Sequence, residues 1–240
     1  MPLNESWWND IVIYFARFHI LMMGIPIIIA LVYRKEWNRP LLIFFLYCLL
    51  TYFLNLFEAI FIWATGAYTS FFMPFLEYWD ITSTAFMQIF YELKSFILLS
   101  LFYSLLFSNS KISKHIIFIG YFLAVIFVIK YLFFEGYRGI GVVNPTIHGL
   151  FKIILPLIYL WISRHYTLRI PLRKNPYFWI SLGVFIPNFV GLFYYFSGDI
   201  IIEYDFIFYC QLQIFKNVFE ILGQFLLAIG FVHSYYARFV

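Results

Sequence analysis

Charge is what this sequence has least of. Only 12% of its 240 residues are Asp, Glu, Lys or Arg, about half the share of a soluble domain, while 64% are hydrophobic. So few polar groups cannot cover a water-facing surface, which excludes an ordinary soluble domain. The two cysteines, Cys48 and Cys210, are too few for a disulfide framework or a cysteine-based metal site. The opening MPLNESWWND has neither a basic n-region nor a small-residue cleavage site, so the first apolar segment is expected to be retained. HExxH, GxSxG, Walker loops and carboxylate clusters spaced for two metals are missing, so no cofactor or metal is expected and the chain reads as a non-enzyme. No basic stripe is interleaved with aromatics, so the formal charge of +4 does not indicate a nucleic-acid partner.

What the chain has instead is seven apolar runs, at about 10–33, 40–65, 81–107, 115–133, 147–163, 177–196 and 206–233. Each can cross a hydrocarbon layer about 30 Å thick. They are apolar all round, whereas the strands of a membrane barrel alternate in polarity, so helices are expected. The fold class is therefore all-α, a multi-pass protein of the cell inner (plasma) membrane with the lipid bilayer as its solvent and constant partner. Residues 1–240 leave no room for a soluble domain.

Lys and Arg set the orientation. Arg34, Lys35 and Arg39 follow segment 1, Lys111 and Lys114 follow segment 3, Arg164, Arg169, Arg173 and Lys174 follow segment 5, and Arg238 ends the chain, whereas Arg138 alone falls on the other side. The asymmetry predicts an outside amino terminus and a cytoplasmic carboxyl terminus. The outer side collects Glu5, Asp10, Glu77, Asp80, Glu135, Asp199, Glu203 and Asp205.

Landmarks recur in order. Pro26 matches Pro156, each near the middle of its segment; Arg34-Lys35 matches Arg164-His165; Pro40 and Pro176 open segments 2 and 6; Glu77-Tyr78 matches Glu203-Tyr204; and QIF recurs at 88–90 and 213–215. With segment 4 between the halves, this reads as a parallel 3+1+3 repeat: a first three-helix bundle (1–107), a linker helix and loop (108–146) and a second bundle (147–240). The arrangement resembles sugar-exporter (SWEET) and KDEL-receptor proteins in topology. The phrases NPYFWISLGVFIPNFVGLFYYFSGD (175–199) and FLLAIGF (225–231) resemble an uncharacterised family of seven-helix integral membrane proteins of Bacteroidota. That resemblance implies the seven-helix fold and slightly favours a signalling role.

Polar groups inside the spans are the functional candidates, because intramembrane charge is costly at about 2.5–3.5 kcal/mol per group on insertion scales. Gln88, Glu92 and Ser95 form one stripe on segment 3, and Gln213, Lys216, Asn217, Glu220 and Gln224 another on segment 7. The repeat sets these stripes facing each other across an outward-opening polar cavity. Asn55 and Glu58 on segment 2, Arg17 and His19 on segment 1, Lys94 on segment 3 and Lys152 on segment 5 are expected to join them. The candidate ligand-binding residues are thus Arg17, His19, Asn55, Glu58, Gln88, Glu92, Lys94, Lys152, Gln213, Lys216, Asn217 and Glu220. Basic groups outnumber acidic ones, which favours an anionic or carboxylate-bearing small ligand of unknown identity.

Plainer readings stand beside these. Gln88, Ser95, Gln213 and Gln224 taken singly, and Asn55 and Asn188, suit interhelical hydrogen bonds. Lys216 and Glu220 can neutralise each other at i,i+4. Lys216 also occupies the segment on which opsins carry their retinal lysine, but Leu212 stands where microbial opsins place an acidic partner. Three functions follow: a receptor-like sensor acting through a cytoplasmic or membrane signalling partner, a small-solute transporter hinged at Pro26 and Pro156, and a membrane enzyme or structural subunit.

Overall fold

The computed structural model describes residues 3–79, 81, 84–107, 110–135, 143–165 and 170–239. Asp80, Arg138 and Arg169 of the charge tally lie outside the described residues, as do the side chains of Glu5, Glu135, His165, Asp199 and Glu203. Among the described residues the chain is helical, without strands, and has seven helical spans long and apolar enough to cross a membrane.

The first crossing is formed by α1 (Leu3–Met22) and α2 (Gly24–Val32). Pro26 has no N–H to offer the carbonyl of Met22, so one bond of the ladder is missing there, while Met23 N–H still donates to the His19 carbonyl (3.0 Å). α3 (Arg39–Ala67) starts where the Asn38 side chain accepts from Leu41 N–H, with Pro40 in its first turn. At 29 residues, or roughly 43 Å, α3 exceeds the hydrocarbon thickness, so it must tilt or emerge. The short α4 (Thr69–Tyr78) buries no residue. α5 (Gln88–Leu106), α6 (Ser110–Lys130) and α7 (Val143–His165) make the next three crossings.

α8 (Pro176–Tyr204) repeats the start of α3: Asn175 accepts from Tyr177 N–H, and Pro176 sits in the first turn. α9 (Phe206–Val232) follows after a single residue, Asp205, whose carboxylate caps it through Phe208 N–H. These caps explain where the helices begin, because each satisfies a donor that a helix start leaves unpaired.

Six crossings touch in turn: α1/α2 with α3, α3 with α5, α5 with α7, α7 with α8, α8 with α9, and α9 with α1/α2, while α6 packs on α5. The α8–α9 contact is a close one. A Cβ on Gly223 would fall 2.9 Å from the Gly183 carbonyl oxygen, and one on Gly183 3.0 Å from that of Gly223. Small residues let two backbones approach in lipid, where van der Waals packing replaces the hydrophobic drive.

One end of the ring is filled with aromatic rings. Phe44, Phe102, Tyr103 and Phe231 are fully buried, and the Phe44 and Phe102 centroids stand 4.9 Å apart. A polar corner closes that end: Tyr177 OH donates to Asn38 Oδ1 (2.9 Å), and Asn175 Nδ2 donates to Tyr159 OH (2.9 Å). Arg238 and Glu36 pair beside it.

Candidate functional site

Above the aromatic end lies a cavity of about 120 Å³ among α1, α3, α7, α8 and α9. On α3, α8 and α9 the cavity residues sit farther from the Asn38/Asn175 end than the fully buried apolar residues do. On α3 Thr51 lies above Phe44, on α8 Pro187 above Ile180, and on α9 Glu220 above Phe231. Gly183 and Gly191, two turns apart on α8, are among its lining residues.

Its polar wall is assembled from three crossings. Glu220 takes Lys216 Nζ on one oxygen (3.0 Å) and faces His19 Nδ1 with the other (3.3 Å). The Lys216 ammonium also lies 5.3 Å from the Tyr194 ring centroid, within cation–π range. Lys152 on α7 lines the same space. Among the described residues no carboxylate comes within 4 Å of it. Behind the wall, Lys94 Nζ donates to Thr51 Oγ1 (2.7 Å), and Thr51 in turn donates to the Tyr47 carbonyl (2.6 Å). Lys94 is otherwise held between the rings of Tyr47 and Tyr91, at 4.9 and 5.3 Å. Amino groups therefore outnumber carboxylates around the cavity, with His19 Nε2 buried and without a hydrogen-bond partner among the described residues.

Of the residues singled out in the sequence, His19, Lys152, Lys216 and Glu220 meet at the cavity, and Lys94 reaches it through Thr51. The others are placed elsewhere. Arg17 is exposed on α1. Asn55 donates to the Thr51 carbonyl of its own helix (2.8 Å). Glu58 accepts from Thr84 Oγ1 (2.6 Å) and from Tyr91 OH (2.8 Å), which ties α3 to the start of α5. Gln88 donates to Glu92 (2.7 Å), one turn on along α5. Gln213 is half-buried and Asn217 is buried on α9; neither lines the cavity.

The expected meeting of the α5 and α9 stripes is thus only partial. α5 and α9 occupy opposite positions in the ring, and Gln88, Glu92 and Ser95 are bonded along α5, with Ser95 donating to the Tyr91 carbonyl (2.8 Å). The sequence reading gave no site role to Thr51 and Asn188, and counted Gln224 in the α9 stripe without naming it as ligand-binding; all three line the void. Their signal was present as polar residues at mid-span, but helix-contact residues share it. Asn188 does donate to the Val184 carbonyl, at 2.6 Å.

Among the described residues no group of three or more His, Cys, Asp or Glu is placed to hold a metal ion. No family model, curated protein or solved structure matches the chain.

Proposed function

We propose that this chain is a receptor-like membrane sensor that binds a small anionic ligand in the polar cavity and signals through a partner protein. The observation that carries the reading is the charge imbalance at mid-membrane. Lys152 and Lys94 stand near the void without a carboxylate within 4 Å among the described residues, while the one cavity carboxylate, Glu220, is already shared by Lys216 and His19. Uncompensated buried cations are costly unless a counter-charge arrives.

The aromatic plug supports a sensor over a transporter, since a transporter must open its site to both faces. In this reading the cavity opens to the outside, the plugged end is cytoplasmic, and repacking of the ring alters the basic loops that a partner touches. The proposed 3+1+3 repeat fits the matching Asn38 and Asn175 caps, each followed by a first-turn proline.

The transporter reading retains one observation of its own. The first crossing lacks the backbone bond that Pro26 cannot make, two turns from His19, and weakened or broken helices beside mid-membrane sites are typical of transporters. Full-length protein in lipid nanodiscs is expected to gain thermal stability with small carboxylates and not with their amides. Reconstituted vesicles are expected not to accumulate those acids; accumulation would move the assignment to the transporter.

A further inference from the structure

We propose that the cavity takes a short-chain fatty acid of about four carbons, with its carboxylate at Lys152 and its alkyl tail on an apolar floor of Met23, Cys48, Val184 and Leu227. The inference rests on the anion-binding reading above and adds the apolar part of the ligand.

The lining changes character with depth. Met23, Cys48, Val184 and Leu227 are buried and line the cavity. Each stands one helical turn from a core residue nearer the aromatic end: Met23 from Ile27, Cys48 from Phe44, Val184 from Ile180 and Leu227 from Phe231. One turn the other way the lining is polar, with His19, Thr51, Asn188 and Gln224 on the same four crossings. The change from apolar to polar therefore falls at one level around the void. Tyr47 also lines it, and its hydroxyl interacts with the Ser95 and Thr51 side chains.

Lys152 belongs to the polar level. A Cβ on Gly149 would lie 3.6 Å from Leu192 Cδ1, and Lys152, under one turn further along α7, is then near the level of Asn188 on the antiparallel α8. Its amine interacts electrostatically with Glu220 and Lys216, the paired charges of the wall. No carboxylate lies within 4 Å of it among the described residues, so one anionic group belongs there. A second anionic group would meet Glu220, which argues for a monoacid. From Lys152 the rest of the ligand extends towards the aromatic end, among side chains where an alkyl tail is favoured and a hydroxyl is not.

Size sets the length of the tail. A void of about 120 Å³ is smaller than the roughly 150 Å³ cavity known to admit benzene, which limits the ligand to about six non-hydrogen atoms. Butanoate has that number.

The test uses the full chain in nanodiscs, with empty nanodiscs as the blank. Isothermal titration compares acetate, propanoate, butanoate, hexanoate, butanamide and 3-hydroxypropanoate, the last matching butanoate in size. Affinity is expected to rise about fourfold for each methylene from acetate to butanoate and to fall at hexanoate. The hydroxy acid is expected to bind about tenfold more weakly than butanoate, and the amide not to bind. Leu227→Ala, which deepens the floor, is expected to make hexanoate the best ligand, and Lys152→Met to remove binding of every acid. The wild-type series decides the matter even where a variant fails to fold. Equal affinity of acetate and butanoate, or of butanoate and the hydroxy acid, overturns the apolar tail and leaves anion binding standing. A folded Lys152→Met that binds butanoate as wild type does overturns the placement of the carboxylate. Failure of every anion from acetate to citrate overturns both the fatty-acid assignment and the sensor reading.

Discussion

His19 Nδ1 stands 3.3 Å from Glu220 Oε2, so the first crossing and the last are joined through one carboxylate, whose other oxygen lies 3.0 Å from Lys216. Glu220 is therefore the charge on which this part of the ring depends. Glu220→Gln is expected to lower stability by about 3 kcal/mol, because it leaves a buried ammonium without its partner. Unfolding curves in mild detergent measure it, and a loss below about 1 kcal/mol would mean that the pair is solvated. The double variant Lys216→Met/Glu220→Met is expected to recover much of the loss, since both charges are then gone.

Lys94 should behave in the opposite way. It is buried with a hydroxyl and two rings for company, and no carboxylate within 4 Å among the described residues. Lys94→Met is expected to raise the melting temperature of the ligand-free protein while weakening anion binding, the signature of a residue kept for function at the expense of stability. Paired melting and titration experiments read both effects, and a fall in melting temperature would show Lys94 to be structural.

The glycines divide by what surrounds them. Gly223→Ala would drive a methyl into Pro187 and to within 2.9 Å of the Gly183 carbonyl, and is expected to cost about 1–3 kcal/mol. Nothing lies within 4 Å of a Cβ added to Gly24 or Gly66. At those sites Ala is expected to be neutral or to stabilise by about 0.5–1 kcal/mol, through the helix preference of Ala over Gly. Melting curves of the three variants give the ranking. If Gly24→Ala also alters the response to ligand, the stretch around Pro26 acts as a hinge.

The polar corner offers a fourth measurement. Asn38 caps α3 and exchanges hydrogen bonds with Tyr177 OH, as donor at 2.6 Å and as acceptor at 2.9 Å. Asn38→Ala removes both functions and is expected to cost about 1–2 kcal/mol. Tyr177→Phe removes only the bridge and should cost less. Equal losses would assign the whole effect to the bridge and none to the cap.

Much of the framework can be read in the residues themselves. Seven apolar runs separate at Asn38-Arg39-Pro40, at Asn175-Pro176 and at Asp205 because those residues cap or open helices wherever they stand. The end of α8 was less legible. The apolar run fades near residue 196, yet the helix continues to Tyr204, and only Asp205 stops it. Ionisable residues at mid-span marked His19, Lys152, Lys216 and Glu220 as costly, but cost carries no direction. Glu92 looked equivalent to Glu220 on composition, and the difference between them lies in their neighbours. Glu92 is met by Gln88 on its own helix, while Glu220 faces a void between helices.

The sequence by itself determined the number of crossings and the caps that start several of them, because both follow from local hydrophobicity and from hydrogen bonds made within a few residues. Which polar groups share a cavity was decided only by the tertiary structure. The rotation of each helix about its axis depends on long-range packing, such as the Gly183–Gly223 approach that draws α8 onto α9 and the opposite placement of α5 and α9 in the ring. A turn of about 100° per residue moves a side chain from the void to the lipid, and no local preference of the chain fixes that angle.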